Sequence, residues 1–250
     1  MNVSLFQAAA ALNSNSRWQD MIAENLASSS IPGFKKQELS VAAVQAGLMP
    51  QGAFNSSTGP QSFVLPVATS AMNFQQGELK FTGDKNDVAI EGPGFFSVQL
   101  PDGSTAQTRN GEFQVSAQGE LVTNEGYAVL GDGGPILLDI NNPEPISISA
   151  TGVVSQGADE KGKLKLTQFD NPELLTPITA GYFLANNPKL VAQPSQSTVR
   201  QGYVESSNVS PVSEMSNLIT AMRSFEANQR MIQIQDDRMG KAISELGNPN

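Results

Sequence analysis

Any chemistry in this chain has to come from carboxylates, lysines, serines or tyrosines, because its 250 residues include no histidine and no cysteine. Histidine-based proton transfer and imidazole metal ligation are thereby removed. Disulfides, thiolate metal sites and cysteine nucleophiles go with them. The oxygen-rich run Asp84, Asn86, Asp87 has ligands suited to a hard cation, but it lacks the DxDxDG spacing and a glutamate at the twelfth position. It reads as solvated turn carboxylates. Glu112 and Glu120 are the candidate acid–base pair, yet no Ser-Lys or aspartic-dyad signature accompanies them. The glycine-rich pieces GPGFF at 92–96 and GDGG at 131–134 match neither the P-loop nor the dinucleotide fingerprint, and read as hairpin turns. No catalytic, cofactor-binding or metal-binding residue is assigned.

The formal net charge is -9, with lysine and arginine scattered along the chain. That sign and distribution argue against a nucleic-acid partner. Charged residues make up only 16%, and 22 glycines and 15 prolines punctuate the middle. Such a composition suits many short strands and turns. The N-terminal stretch MNVSLFQAAAALNSNSRWQD lacks a basic region and a long apolar core, so a cleaved secretory signal is not expected. No segment reaches the roughly 18 apolar residues of a membrane span, so direct membrane insertion is not expected either.

Two helices are expected to bracket this middle. In 211–247, Leu218, Phe225, Ile232, Met239 and Leu246 recur every seventh residue. Met215, Met222 and Ile243 fill the partner row, which Gln229 and Asp236 interrupt. A seam of this kind needs another helix to cover it. Residues 2–28 offer one: Leu5, Ala8, Leu12, Ile22 and Leu26 keep a heptad register, weakened by Asn15 and Gln19. Ile31-Pro32-Gly33 should stop that helix, and Ser210-Pro211 should start the last one.

Between them, residues 84–170 read as short strands, from DVAIEG through GFFSVQL, YAVLGDGG and PILLDI to ISISA and KGKLKLTQF. Pro101-Asp102-Gly103 predicts a tight turn, and Asn110-Gly111 is the strongest hairpin signal. The expected fold is α+β: paired terminal helices, coiled-coil-like, around a central all-β antiparallel barrel or sandwich. The expected division is 1–30 as the N-terminal helix and 31–83 as an extended linker region. It continues with 84–200 as the β domain and 201–250 as a C-terminal linker and helix.

Three segments resemble one known family. IAENLASSSIPGFKKQ is similar to the N-terminal signature of bacterial flagellar rod and hook proteins, through Asn25, Leu26, Pro32, Gly33 and Phe34. DVAIEGPGFFSVQLPDGSTAQTRNGEFQVSAQGELVTNEGYAVLG resembles their shared middle region. QGYVESSNVSPVSEMSNLITAMRSFEANQRMIQ resembles their C-terminal signature, through Glu205, Ser207, Asn208 and Val209. The resemblance implies a structural, non-enzymatic subunit of the basal-body rod, which spans the periplasm. It implies export through the flagellar type III apparatus without a cleaved signal. It also implies assembly with itself and with other rod and hook-family subunits. In this family the terminal helices form the inner tube. The short segment PQGAFNSSTGPQS favours a proximal rod subunit, with the distal rod subunit as the alternative. A β-domain binding or hydrolytic protein on a helical oligomerisation stalk is the competing class.

Overall fold

The computed structural model describes residues 3–48, 62–179 and 181–246. Helix α1 spans Val3–Ala27 and helix α2 spans Pro211–Leu246, as the apolar periodicity predicts. After α1 the chain turns: the Ile31 N–H donates to Ser28 O and the Phe34 N–H to Ile31 O. Gly33 sits there at φ +70, a conformation that side chains with a Cβ resist. Pro211 is the first residue of α2, where its missing N–H costs nothing. Ser210 O accepts the Glu214 N–H as the first intrahelical bond.

The chain divides into two compact units. The helical unit holds Met1–Leu26, Gln37–Ala71 and Ser210–Asn250. Besides the helices it contains strands β1 (Gln37–Leu48) and β2 (Ser62–Met72), which pair as a two-stranded sheet. Gln37–Leu48 lies in the stretch expected as an extended linker region. β-branched and small residues without helical periodicity resolve it as strand. The expected spacer PQGAFNSSTGPQS lies outside the described residues apart from its end.

The β unit holds Ala27–Lys36 and Met72–Val209. Its largest sheet is antiparallel and runs in the order Thr176–Thr179, Tyr182–Leu184, Thr105–Thr108, Phe95–Gln99, Ala128–Gly131, Leu121–Thr123, Phe113–Val115. That order is open at both ends, so the strands do not close the barrel that their spacing suggested. Ile146–Ile148, Val153–Gln156 and Asp159–Lys163 form a separate three-stranded sheet. Val88–Glu91 pairs with Thr198–Gln201, and Leu79–Phe81 with Tyr203–Glu205. One core gathers Phe96, Val98, Phe113, Leu121, Val129 and Val154. A second is aromatic: Phe95, Phe169 and Phe183, with Phe74 edge-on to Phe95 at 5.7 Å.

Four turn readings meet different fates. Pro101-Asp102-Gly103 does join paired strands, Phe95–Gln99 and Thr105–Thr108, with Gly103 at φ +84. GDGG also turns tightly, pairing Gly131 with Gly134. Asn110-Gly111 is not a hairpin loop, because Thr105–Thr108 pairs with Phe95–Gln99 while Phe113–Val115 pairs with Leu121–Thr123. GPGFF is likewise a crossing between sheets, from Val88–Glu91 to Phe95–Gln99. KGKLKLTQF, expected as one strand, is two: Asp159–Lys163 belongs to the three-stranded sheet and Leu166–Phe169 to the large one. PILLDI does not form a separate strand. Its N–H groups find partners one at a time, Ile136 on Val129 O and Leu138 on Gly119 O.

Candidate functional site

Residues from three distant segments meet inside the β unit. The Lys35 ammonium lies 2.5 Å from Glu205 Oε1, and the Arg109 guanidinium donates to Glu205 Oε2 at 3.1 Å. All three side chains are buried. The rest of the cluster is held by backbone. Lys35 also donates to Gln75 O at 2.7 Å, and the Gly77 N–H to Glu205 Oε1 at 2.9 Å. Arg109 donates to Gly92 O at 2.8 Å and its guanidinium stands over the Phe95 ring at 5.3 Å. Arg109 Nε has no partner among the described residues.

Two cations share one carboxylate here. Burial pulls the Lys35 ammonium below its ordinary value, against the opposing pull of the Glu205 charge. Burial acts the same way on Arg109, which stays protonated. Both Glu205 oxygens are engaged by donors, so the cluster holds chain segments together rather than presenting an acid or base.

The motif residues close the same junction. The Gly33 N–H donates to Glu205 O at 2.7 Å. A Cβ at Gly33 would lie 2.3 Å from the Arg109 carbonyl carbon, so only glycine permits this approach. Phe34 is buried. Asn208 Oδ1 accepts the Lys36 N–H at 2.7 Å, while its amide donates to Asn73 O and Gln75 O. Ser207 Oγ accepts from the buried Val209 N–H. In the helical unit, buried Asn25 pairs twice with the Gln37 backbone, at 2.9 Å each way. Sequence reading singled out Glu205 but not Lys35 or Arg109. The available signal was opposite charge inside otherwise apolar, turn-rich signatures.

The helix seam residues are placed unevenly. Ile22 is fully buried; Leu12 and Leu26 are half-buried. Leu218, Phe225 and Ile232 are half-buried, while Met215, Met222 and Met239 are exposed. Among the described side chains of α2 the buried ones are Glu214 and Ala221. Asn15, read as a weak point of the register, donates to Ser224 Oγ at 3.1 Å. The side chains of Leu5, Ile243 and Leu246 lie outside the described residues.

The candidate carboxylates do other work. Asp84 Oδ1 accepts the Asn86 N–H and closes a turn. Glu120 bridges Leu137 through its backbone. Glu112 lines a groove with Glu125, Tyr127 and Tyr182, and accepts from Asn124 at 2.9 Å. Burial first, and then the Asp87 charge, raise the Glu112 carboxyl above its ordinary 4.5. A raised carboxyl pKa means the native state holds its proton longer than the unfolded chain does. Stability is then full below pH 4.5 and falls as pH rises through the folded value. Glu112→Gln should therefore raise the neutral-pH melting temperature, and the gain should vanish below pH 4.5. Melting curves across that pH range check it.

Two family models match this chain: the flagellar hook protein FlgE/F/G D1 domain over residues 89–156, and the flagellar basal body rod FlgEFG protein C-terminal region over residues 200–245. The flagellar basal-body rod protein FlgG of Buchnera aphidicola subsp. Schizaphis graminum is 36% identical, covering 91% of this chain and 93% of its own. FlgF of Caulobacter vibrioides is 36% identical over 92% of both. FlgF of Escherichia coli is 30% identical over 97% of both. The chain belongs to the flagellar basal-body rod protein family. The two matched regions contain Arg109 and Glu205, so the buried cluster joins both of them to the PGFK turn that precedes them. No described helix of this rod-family chain is long and apolar enough to cross a membrane.

Proposed function

We propose that this rod-family chain is a proximal-type subunit whose two terminal helices pair and build the wall of the flagellar rod. It assembles with further copies and with other flagellar axial proteins, and it reaches the rod through the flagellar type III export apparatus. One observation carries the assembly reading. Val212, Met215, Ile219 and Met222, spaced three or four apart, leave an apolar stripe on α2 with exposures of 79%, 51%, 54% and 51%. Residues at that spacing share one helix face. The half-buried row Leu218, Phe225, Ile232 is the seam toward α1, and the exposed stripe is the surface for neighbouring subunits. Covering each large apolar side chain contributes about 1.5–3 kcal/mol, which supports ordered packing only after several are buried. The short connection between β1 and β2 supports the proximal type. The equal identity to an FlgG relative supports the distal type as the second reading.

The test is the double substitution Met215→Lys and Met222→Lys. Both residues are exposed, so folding stability should change by no more than about 0.5 kcal/mol. Swimming and recovery of the protein in isolated basal bodies should be lost. A motile strain with the substituted chain present in its basal bodies would refute the assembly reading.

A further inference from the structure

The groove that contains Glu112 has a volume of about 470 Å³. Ile31, Pro32, Tyr127 and Tyr182 give it an apolar and aromatic side, neutral polar residues line the rest, and two carboxylates lie among them, Glu112 and Glu125. The two tyrosine rings meet edge to face at 5.3 Å. The Tyr182 hydroxyl donates to Glu125, and Asn124 donates to Glu112. Neutral donors thus fix both carboxylates, and neither has an ion-pair partner among the described residues. Asp87 adds further negative charge at Glu112. Aromatic walls around fixed carboxylates are what a basic side chain seeks: the stem packs on the rings and the head meets the charges.

The same unit carries matching cations elsewhere. Lys163 ends the strand Asp159–Lys163 and Lys165 follows it; both are exposed and flank Leu164, which is buried. Their backbone is pinned: the Leu164 N–H donates to Gly152 O at 2.8 Å and the Lys165 N–H to Leu130 O at 3.0 Å. Lys161 is held by Asp159 at 3.6 Å. Lys163 and Lys165 have no carboxylate partner among the described residues. On a chain of net charge -9, these two cations stand unpaired among the described residues.

We propose that the Glu112–Glu125 groove of one subunit receives Lys163, with Lys165 beside it, from a neighbouring copy of the chain. The inference deepens the rod reading, on which it rests, by naming a copy-to-copy contact in the β unit. The groove and the lysines are different patches of one chain. Their contact is therefore heterologous, and it propagates from copy to copy instead of closing on a pair.

The absence of native cysteine makes the contact directly testable by cross-linking. Thr179→Cys, on the groove lining, and Asp132→Cys, at an exposed residue whose N–H donates to Lys163 O at 2.9 Å, are placed in the same full-length chain in flagellated cells, and isolated basal bodies are oxidised. The expected product is a series of disulfide-linked dimers and larger species, whereas either single cysteine gives none. Adding Glu112→Gln and Glu125→Gln to the double-cysteine chain should lower the yield about tenfold. Charge reversal follows in cysteine-free chains, read by their recovery in basal bodies. Glu112→Lys with Glu125→Lys should reduce incorporation, Lys163→Glu with Lys165→Glu should do the same, and co-expression of the two reversed chains should restore it. Cross-linked species absent from basal bodies that contain the chain would overturn the contact while leaving the rod role intact. Loss on groove reversal without loss on lysine reversal would also overturn it, because another partner would then fill the groove. If the methionine substitutions on α2 leave incorporation unchanged, it is the assembly reading of the α2 stripe that fails.

Discussion

Glu205→Ala should unfold the β unit at a markedly lower temperature than any other single charge removal in this chain. The substitution strands two buried cations, Lys35 and Arg109, and leaves the Gly77 N–H without its acceptor. Removing one partner of a buried ion pair costs about 3–5 kcal/mol, because the remaining charge stays desolvated and uncompensated. A loss of that size should lower the melting temperature of the β unit by roughly 10 °C or more. Glu205→Gln should not rescue it, since an amide offers donors where Arg109 needs an acceptor. Lys35→Met should cost clearly less. It leaves the Arg109–Glu205 pair in place, removes a buried charge, and keeps most of the apolar stem. Thermal unfolding of the three variants ranks them. A Glu205→Ala protein as stable as Lys35→Met would show that the cluster does not hold the junction.

Gly111→Ala should be nearly as damaging, for a steric reason. A Cβ at Gly111 would lie 1.6 Å from Val88 O and 2.8 Å from Val88 C. Those atoms are backbone, and the Val88 N–H donates to Gly111 O at 2.9 Å, so the strands cannot part without losing their pairing. The Phe96 ring, part of the main core, closes the other side at 3.2 Å. A methyl group with no room to go should cost at least about 3 kcal/mol. Gly103→Ala is the control. Gly103 has φ +84 but nothing within 4 Å of its Cβ position, so only backbone strain of about 1 kcal/mol opposes it. Denaturant midpoints of the two variants separate close approach from conformational strain, and equal midpoints would refute the steric account.

The junction ties the PGFK turn, the middle region and the chain just before α2 together within the β unit. Lys35 and Glu205 are 170 positions apart in the chain. The cluster is saturated with donors, which suits a role in stiffness. The stripe on α2 and the groove at Glu112 differ from it in kind. They expose apolar surface and unpaired charge that the isolated chain leaves uncovered.

Periodicity along the chain determined the two helices and their limits, since a 3.6-residue repeat of apolar side chains can be covered on one face only by a helix. Alternation and glycine-marked turns determined an all-β middle, and Pro101-Asp102-Gly103 determined one hairpin. The three signatures determined the family. None of these local patterns names a partner strand. Asn110-Gly111 has hairpin chemistry, yet its flanking strands pair elsewhere, and Gly111 is needed for contact with Val88 instead. KGKLKLTQF alternates without a break, yet its two halves join different sheets. The face of α2 that turns inward runs through Glu214 and Ala221, not through Met215 and Met222. Strand partners, the inward face and the meeting of Lys35, Arg109 and Glu205 come from which surfaces fit when the whole chain closes. Those depend on long-range packing that no window of sequence contains.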